Sequence, residues 1–167
     1  MNTIKLIAAS ALLASATAVF AHESAHAHSA HLAATDSAAP AQQTPFGIAG
    51  QAHNVQRTLT LDMSDAMRFA PAHIQVRQGQ TLRLRVRNQG QVLHEIVLGT
   101  PASLAKHAQA MQAQPEMAHD SAYMAHVAPN AQGELLWQFN RAGTFEYACL
   151  IPGHFEAGMR GTITVTP

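Results

Sequence analysis

The sequence predicts an all-β fold, a Greek-key β-sandwich with one short helix in an irregular insertion. From about residue 55 onward, short stretches alternate apolar and polar side chains with the period of two that a half-buried strand imposes. Gly, Pro and Asn breaks separate these stretches at short intervals, as in a sandwich. One stretch, residues 102–112, has the composition of a helix instead. No internal repeat is present.

Two segments of different character precede the strands. Lys5 supplies a positive start, residues 6–20 are apolar but short for a membrane span, and Val19-Phe20-Ala21 puts small residues where a signal peptidase reads. Residues 1–21 are therefore expected to be a signal peptide cleaved after Ala21, leaving an exported, soluble chain with no membrane insertion. Residues 22–52 are Ala, His, Ser, Gln, Thr and Pro with few large side chains, so they bury too little surface to offset their ordering entropy. They are expected to form a flexible tail. His22, His26, His28 and His31 are dense in it, and such a tract either captures metal or serves as a soluble linker. After cleavage at Ala21, the amine and imidazole of His22 can chelate one Cu(II) together.

Residues 53–167 are expected to form the folded domain. Residues 57–63 are strand-like and residues 72–76 form a short extended piece. Residues 81–87 alternate without a break, with Leu82, Leu84 and Val86 on one face and Arg83, Arg85 and Arg87 on the other. Asn88-Gln89-Gly90 turns the chain into a strand over 92–98, where Val92, His94, Ile96 and Leu98 share a face. Pro101 suits the first turn of the helix. The chain then wanders to Pro129-Asn130. Strands resume at 134–140, with Leu135, Trp137 and Phe139 together, and at 144–149, with Phe145, Tyr147 and Cys149 together. The last strand covers 162–165. Basic and acidic residues number 10 each, so no basic face argues for nucleic acid.

Cys149 is the single cysteine, and in an oxidising compartment it has no partner within the chain. The run Cys149-Leu-Ile-Pro-Gly-His154-Phe-Glu-Ala-Gly-Met159 gathers a thiolate, an imidazole and a thioether in one loop. That soft, mixed set suits copper better than other common metals, because thiolate and thioether favour Cu(I) while imidazole serves both Cu(I) and Cu(II). His94, on the apolar face of its strand, completes a His₂Cys set with a weak Met. Pro152-Gly153 and Gly158 supply the turns such a loop needs.

On the strand-borne His94, the Tyr147-Ala148-Cys149 approach, the Cys149…His154…Met159 loop and the closing Gly161-Thr162-Ile163-Thr164-Val165 strand, residues 55–167 resemble a cupredoxin, the family of small type 1 copper proteins. The resemblance implies His94, Cys149 and His154 as equatorial copper ligands and Met159 as the weak axial one. More narrowly, Met67-Arg68-Phe69-Ala70-Pro71, the 93–99 stretch and Ile151-Pro152-Gly153-His154 are similar to periplasmic cupredoxins associated with copper tolerance. One position departs. Many electron-transfer cupredoxins carry Asn directly after the first His ligand, and here Glu95 stands there. A carboxylate so close alters the surroundings of the ligands, lowers the potential or distorts the site, so neither a blue nor a green colour carries over.

The insertion adds His107, Met111, Met117, His119, Met124 and His126. Such clusters either bind copper or pack as gap-filling side chains, and His119, Met124 and His126 are the candidates for a second copper site. The functional expectation is a periplasmic type 1 copper-binding protein that handles copper with a redox-active ion. The alternative is a soluble electron-transfer protein. The implied partners are the copper ion and a redox or copper-handling protein. No enzyme is expected: Gly-x-Ser-x-Gly and Gly-Lys-Ser/Thr motifs are absent, and the one His-x-His pair, His26 and His28, lies in the tail.

Overall fold

The computed structural model describes residues 42–114 and 121–167. Among the described residues, ten strands and one α-helix run in the order β1 (Ile48–Ala49), β2 (Arg57–Ser64), β3 (Arg68–Ala70), β4 (His73–Arg77), β5 (Thr81–Asn88), β6 (His94–Gly99), α1 (Pro101–Ala113), β7 (Met124–Val127), β8 (Gln132–Gln138), β9 (Gly143–Ala148) and β10 (Arg160–Thr166). They make two five-stranded sheets, β1-β8-β5-β2-β3 and β4-β10-β9-β6-β7. Each sheet holds one parallel pair, β2 with β5 and β4 with β10, among antiparallel ones. The expected β-sandwich is therefore built from two mixed sheets.

The alternation of β5 shows why the sequence folds this way. Leu82, Leu84 and Val86 are fully buried in the main core with Leu61, Trp137 and Tyr147. The intervening arginines face outward, where Arg87 grips Asp62 of the neighbouring β2 through two bonds of 2.7 and 2.9 Å. β6 departs from this pattern, because all six of its residues are buried. Ile96 and Leu98 face the main core, while Val97 faces a smaller cluster formed by Leu104, Ala108 and Met111 of α1 with Met124, Ala148 and Leu150. The helix thus roofs the outer face of the strand that starts at His94. Its first turn is fixed by Pro101 and by reciprocal Thr100–Ser103 capping.

Three expectations need correction. Part of the segment expected to be tail is ordered: β1 pairs with β8, and Phe46 is buried against Trp137, whose indole N–H donates to the Phe46 carbonyl at 3.1 Å. A two-residue strand leaves no alternation to read. The insertion is not wholly irregular, since β7 adds to the edge of β6 with His94 opposite Val127 and Glu95 opposite His126. Finally, β6 begins at His94, while Val92 and Leu93 are 42% and 45% exposed on the preceding loop. Val92 thus leaves the buried face on which alternation put it.

The closing strand explains one glycine. Gly161 lies opposite Tyr147, and a Cβ there would fall 2.2 Å from the ring. That close approach lets the Tyr147 hydroxyl reach the Pro71 carbonyl at 2.5 Å, and burial pushes the pKa of the phenol up. Among the described residues, no helix is long and apolar enough to cross a membrane. The expected signal peptide, the tail histidines His22, His26, His28 and His31, and His119 lie outside the described residues.

Candidate metal centre

His94 is delivered by a loop clamped from within. Asn88, buried at the end of β5, donates to the carbonyls of Val92 at 2.7 Å and Val127 at 2.9 Å and accepts from the Gly90 N–H at 2.8 Å. This fixes the turn into β6 and seats His94 with no solvent exposure. Its Nδ1 lies 3.3 Å from Nδ1 of His154, and its Nε2 lies 3.2 Å from a carboxylate oxygen of Asp65.

Cys149 follows β9 directly and is fully buried. Its Sγ is 3.3 Å from His154 Nδ1 and accepts the Glu95 N–H at 3.5 Å. The loop to Met159 is a run of turns: the His154 N–H donates to the Ile151 carbonyl at 2.9 Å and the Ala157 N–H to that of Gly153 at 3.1 Å. Gly153 and Gly158 take φ of 87° and 91°, the left-handed region that glycine tolerates. The loop closes where the Met159 N–H donates to His154 and the Cys149 N–H to Met159, each at 3.0 Å. Cys149, His154 and Met159 are thus tied by their own backbone, and the Met159 side chain is fully buried in the same core cluster as Cys149. From outside, Arg68 holds the Ala157 carbonyl at 2.8 Å and Gln112 of α1 hydrogen-bonds Glu156.

Donor atoms of His94, Cys149 and His154 all lie within 4.8 Å of one another. Nitrogen and sulfur ligands that share one ion at about 2.0–2.3 Å stand roughly 3–4 Å apart, so the observed 3.3 Å spacings suit one small ion. Burial dominates the electrostatics of the donors. Burial pushes the Cys149 thiol up to about 11, partly opposed by the N–H groups of Glu95 and Ile151. Burial, and then the neighbouring His94, hold the His154 imidazole below its ordinary value and keep it neutral, the form that ligates. A metal that takes the sulfur must displace its proton. The metal-free fold is therefore expected to resist iodoacetamide at about pH 8, where an ordinary thiol reacts, and to label at Cys149 once unfolded in urea. Rapid labelling of the folded protein would show that the sulfur is not held in this way.

Glu95 is fully buried, and its carboxylate accepts the Leu150 N–H at 2.8 Å and lies 2.9 Å from His126 Nε2. This answers where the departure at residue 95 leads: the carboxylate ties the strand of His94 to the residue after Cys149. The two described candidates for a second copper site take other partners, His126 with Glu95 and Met124 in the cluster under α1. Asp65 and Asn88 escaped sequence reading, since a turn Asp and a strand-end Asn carry no spacing signal. Their only clue was their type, which favours side-chain bonds to nearby backbone.

Residues 53–166 match the copper binding proteins of the plastocyanin/azurin family. The copper-resistant cuproprotein CopI of Rubrivivax gelatinosus is 51% identical over 145 residues, which is 87% of this chain and 81% of that protein. The copper-resistant cuproprotein CopI of Pseudomonas aeruginosa is 34% identical over 163 residues, 80% of this chain and 90% of its own. A solved structure of auracyanin B superposes with a TM-score of 0.62 at 25% identity, over 72% of this chain and 96% of that one. Because the family match takes in every strand from β2 to β10, this chain belongs to the cupredoxins, the copper binding proteins of the plastocyanin/azurin family, and copper is its cofactor.

Proposed function

We propose that this chain is an exported, periplasmic type 1 copper protein that holds copper in a redox-active form and serves copper tolerance, and that it is not an enzyme. The observation that carries the reading is the convergence of Cys149, His94 and His154 beneath a closed loop. His94, Cys149 and His154 would hold the copper, with Met159 as a weaker fourth ligand. When bound, copper supplies a one-electron Cu(I)/Cu(II) couple. The chain's own part is to hold the donors still. The clamp at Asn88, the backbone ties from Cys149 to Met159 and the roof of α1 leave the donors little freedom to rearrange when the charge changes. Burial of His94 and Cys149 keeps water from the sulfur. With Met159 as the fourth donor, the protein would fill the positions around the ion, where a catalytic metal keeps one open.

The likeness to two copper-resistant cuproproteins supports the tolerance role. One structural feature favours electron transfer as a second reading: Val92 and Leu93 stand exposed on the loop that leads into His94 and offer an apolar docking surface beside a ligand. One strain separates the two readings. Deletion of the gene is expected to make cells copper-sensitive with normal respiration, with rescue by the wild-type chain and not by Cys149→Ser. Unchanged copper tolerance with impaired respiration would sink the tolerance reading and favour the electron carrier.

A further inference from the structure

We propose that Asp65 is a positioning residue of the metal centre: its carboxylate sets which nitrogen of His94 faces the other donors and pins the loop that delivers that histidine. The proposal deepens the assignment above and rests on His94 being a ligand.

Asp65 sits in the turn between β2 and β3, in the sheet opposite the one that holds β6. One carboxylate oxygen accepts the Gln91 N–H at 2.7 Å, and the other lies 3.2 Å from His94 Nε2 and 3.5 Å from the Val92 N–H. The carboxylate also fills the space a side chain at residue 90 would need, for a Cβ on Gly90 would fall 1.8 Å from Asp65 Oδ1. Glycine at 90 and aspartate at 65 are therefore complementary. β3, which follows the turn, reaches the other ligand loop through its first residue, Arg68, which donates to the Ala157 carbonyl at 2.8 Å. The turn and the start of β3 thus brace both loops that carry donors, with the Asp65 contact falling directly on a donor ring.

An ionised carboxylate only accepts hydrogen bonds. His94 Nε2 must then carry the proton, which leaves the Nδ1 lone pair directed at His154 and Cys149, the side on which the donors converge. A carboxylate behind a ligating imidazole also holds the ring plane.

Asp65→Asn separates these effects. Its single side-chain oxygen can keep the shorter bond from Gln91 N–H, while its NH₂ turns toward His94 and demands an acceptor there, moving the ring proton to Nδ1. Long-range ¹H–¹⁵N NMR on the metal-free full chain is expected to show the Nε2–H tautomer in the wild type and the Nδ1–H tautomer in Asp65→Asn. Cu(II) affinity, read by competition with a chelator, is expected to fall about 10- to 100-fold. If the loss falls on Cu(II) alone, each tenfold appears as a rise of about 59 mV in the potential. Gly90→Ala, which leaves Asp65 in place but crowds its carboxylate, should likewise reduce Cu(II) affinity. An Nδ1–H tautomer in the wild type, or an unchanged tautomer in Asp65→Asn while Cu(II) still gives intense thiolate absorption, overturns the role of Asp65 alone. A wild-type chain that binds Cu(II) without thiolate absorption overturns the ligand assignment, and the proposal with it.

Discussion

Cys149→Ser is expected to abolish the intense thiolate-to-copper absorption and to remove most of the stabilisation that copper gives the fold. A serine hydroxyl is a hard, weakly basic donor that does not replace a thiolate at a copper site. Ligand binding stabilises a native state by mass action, about 4 kcal/mol at a thousandfold excess over Kd. Wild-type protein should gain an increment of that size on adding Cu(II), and the variant should gain little. The metal-free fold is expected to suffer much less. The hydroxyl enters a fully buried site but finds the Glu95 N–H and the His154 ring within reach. The cost there is about 1–2 kcal/mol rather than that of an unpaired buried polar group. Chemical unfolding with and without Cu(II), beside an absorption spectrum, measures both effects. A variant that kept the absorption would remove Cys149 from the site. One that failed to fold without metal would show the residue to be structural first.

What could be read from the sequence, and what could not, follows from how each residue is held. Cys149, His154 and Met159 were legible because one loop carries them and its spacing is fixed by its own backbone bonds. His94 was legible because alternation along β6 put it on the inward face, although the strand starts later than alternation suggested. The sandwich was legible wherever one face of a strand is wet, as in β5. It was not legible in β1, β3 and β7, which are too short for a period to declare itself. The braces were hidden for a different reason. Asp65 acts on His94 across 29 residues and Glu95 acts on Leu150 across 55, so only the paired sheets bring them together. A lone carboxylate in a turn or a strand does not announce its acceptor role. The methionines stayed open for a third reason, because sequence alone does not separate a thioether that packs from one that ligates: Met111 of α1 and Met124 of β7 meet in the cluster with Val97, Leu104 and Leu150, where their flexible side chains pack as hydrophobes.

Glu95 holds Cys149 from two sides, and replacing it is expected to change both stability and potential. Its N–H reaches the sulfur at 3.5 Å, and its side chain holds the N–H of the next residue, Leu150, at 2.8 Å while meeting His126 at 2.9 Å. The carboxylate is fully buried whereas the His126 side chain is 43% exposed, so the buried partner bears the larger desolvation. Glu95→Gln keeps an oxygen for Leu150 and removes the charge. It is expected to cost about 1 kcal/mol and to raise the reduction potential, because a nearby negative charge favours the more positive, oxidised ion. Glu95→Asn installs the residue common in electron-transfer relatives, yet it is expected to be the more damaging change. The shorter side chain gives up one methylene of packing, about 1 kcal/mol, and cannot span Leu150 and His126 together. A buried Leu150 N–H without its acceptor adds about 1–3 kcal/mol. Denaturant unfolding of the metal-free variants should therefore rank wild type above Glu95→Gln above Glu95→Asn, and voltammetry of the copper forms should place Glu95→Gln above wild type in potential. Equal stability of Glu95→Asn and wild type would mean that the carboxylate does not hold the strand after Cys149. An unchanged or lowered potential in Glu95→Gln would mean that its charge does not act on the copper. Residue 95 is wired into this fold through β7: His126 stands opposite Glu95 in register, so the tie at 95 and the added edge strand form one construction, and exchanging residue 95 alone for Asn breaks the tie to both Leu150 and His126.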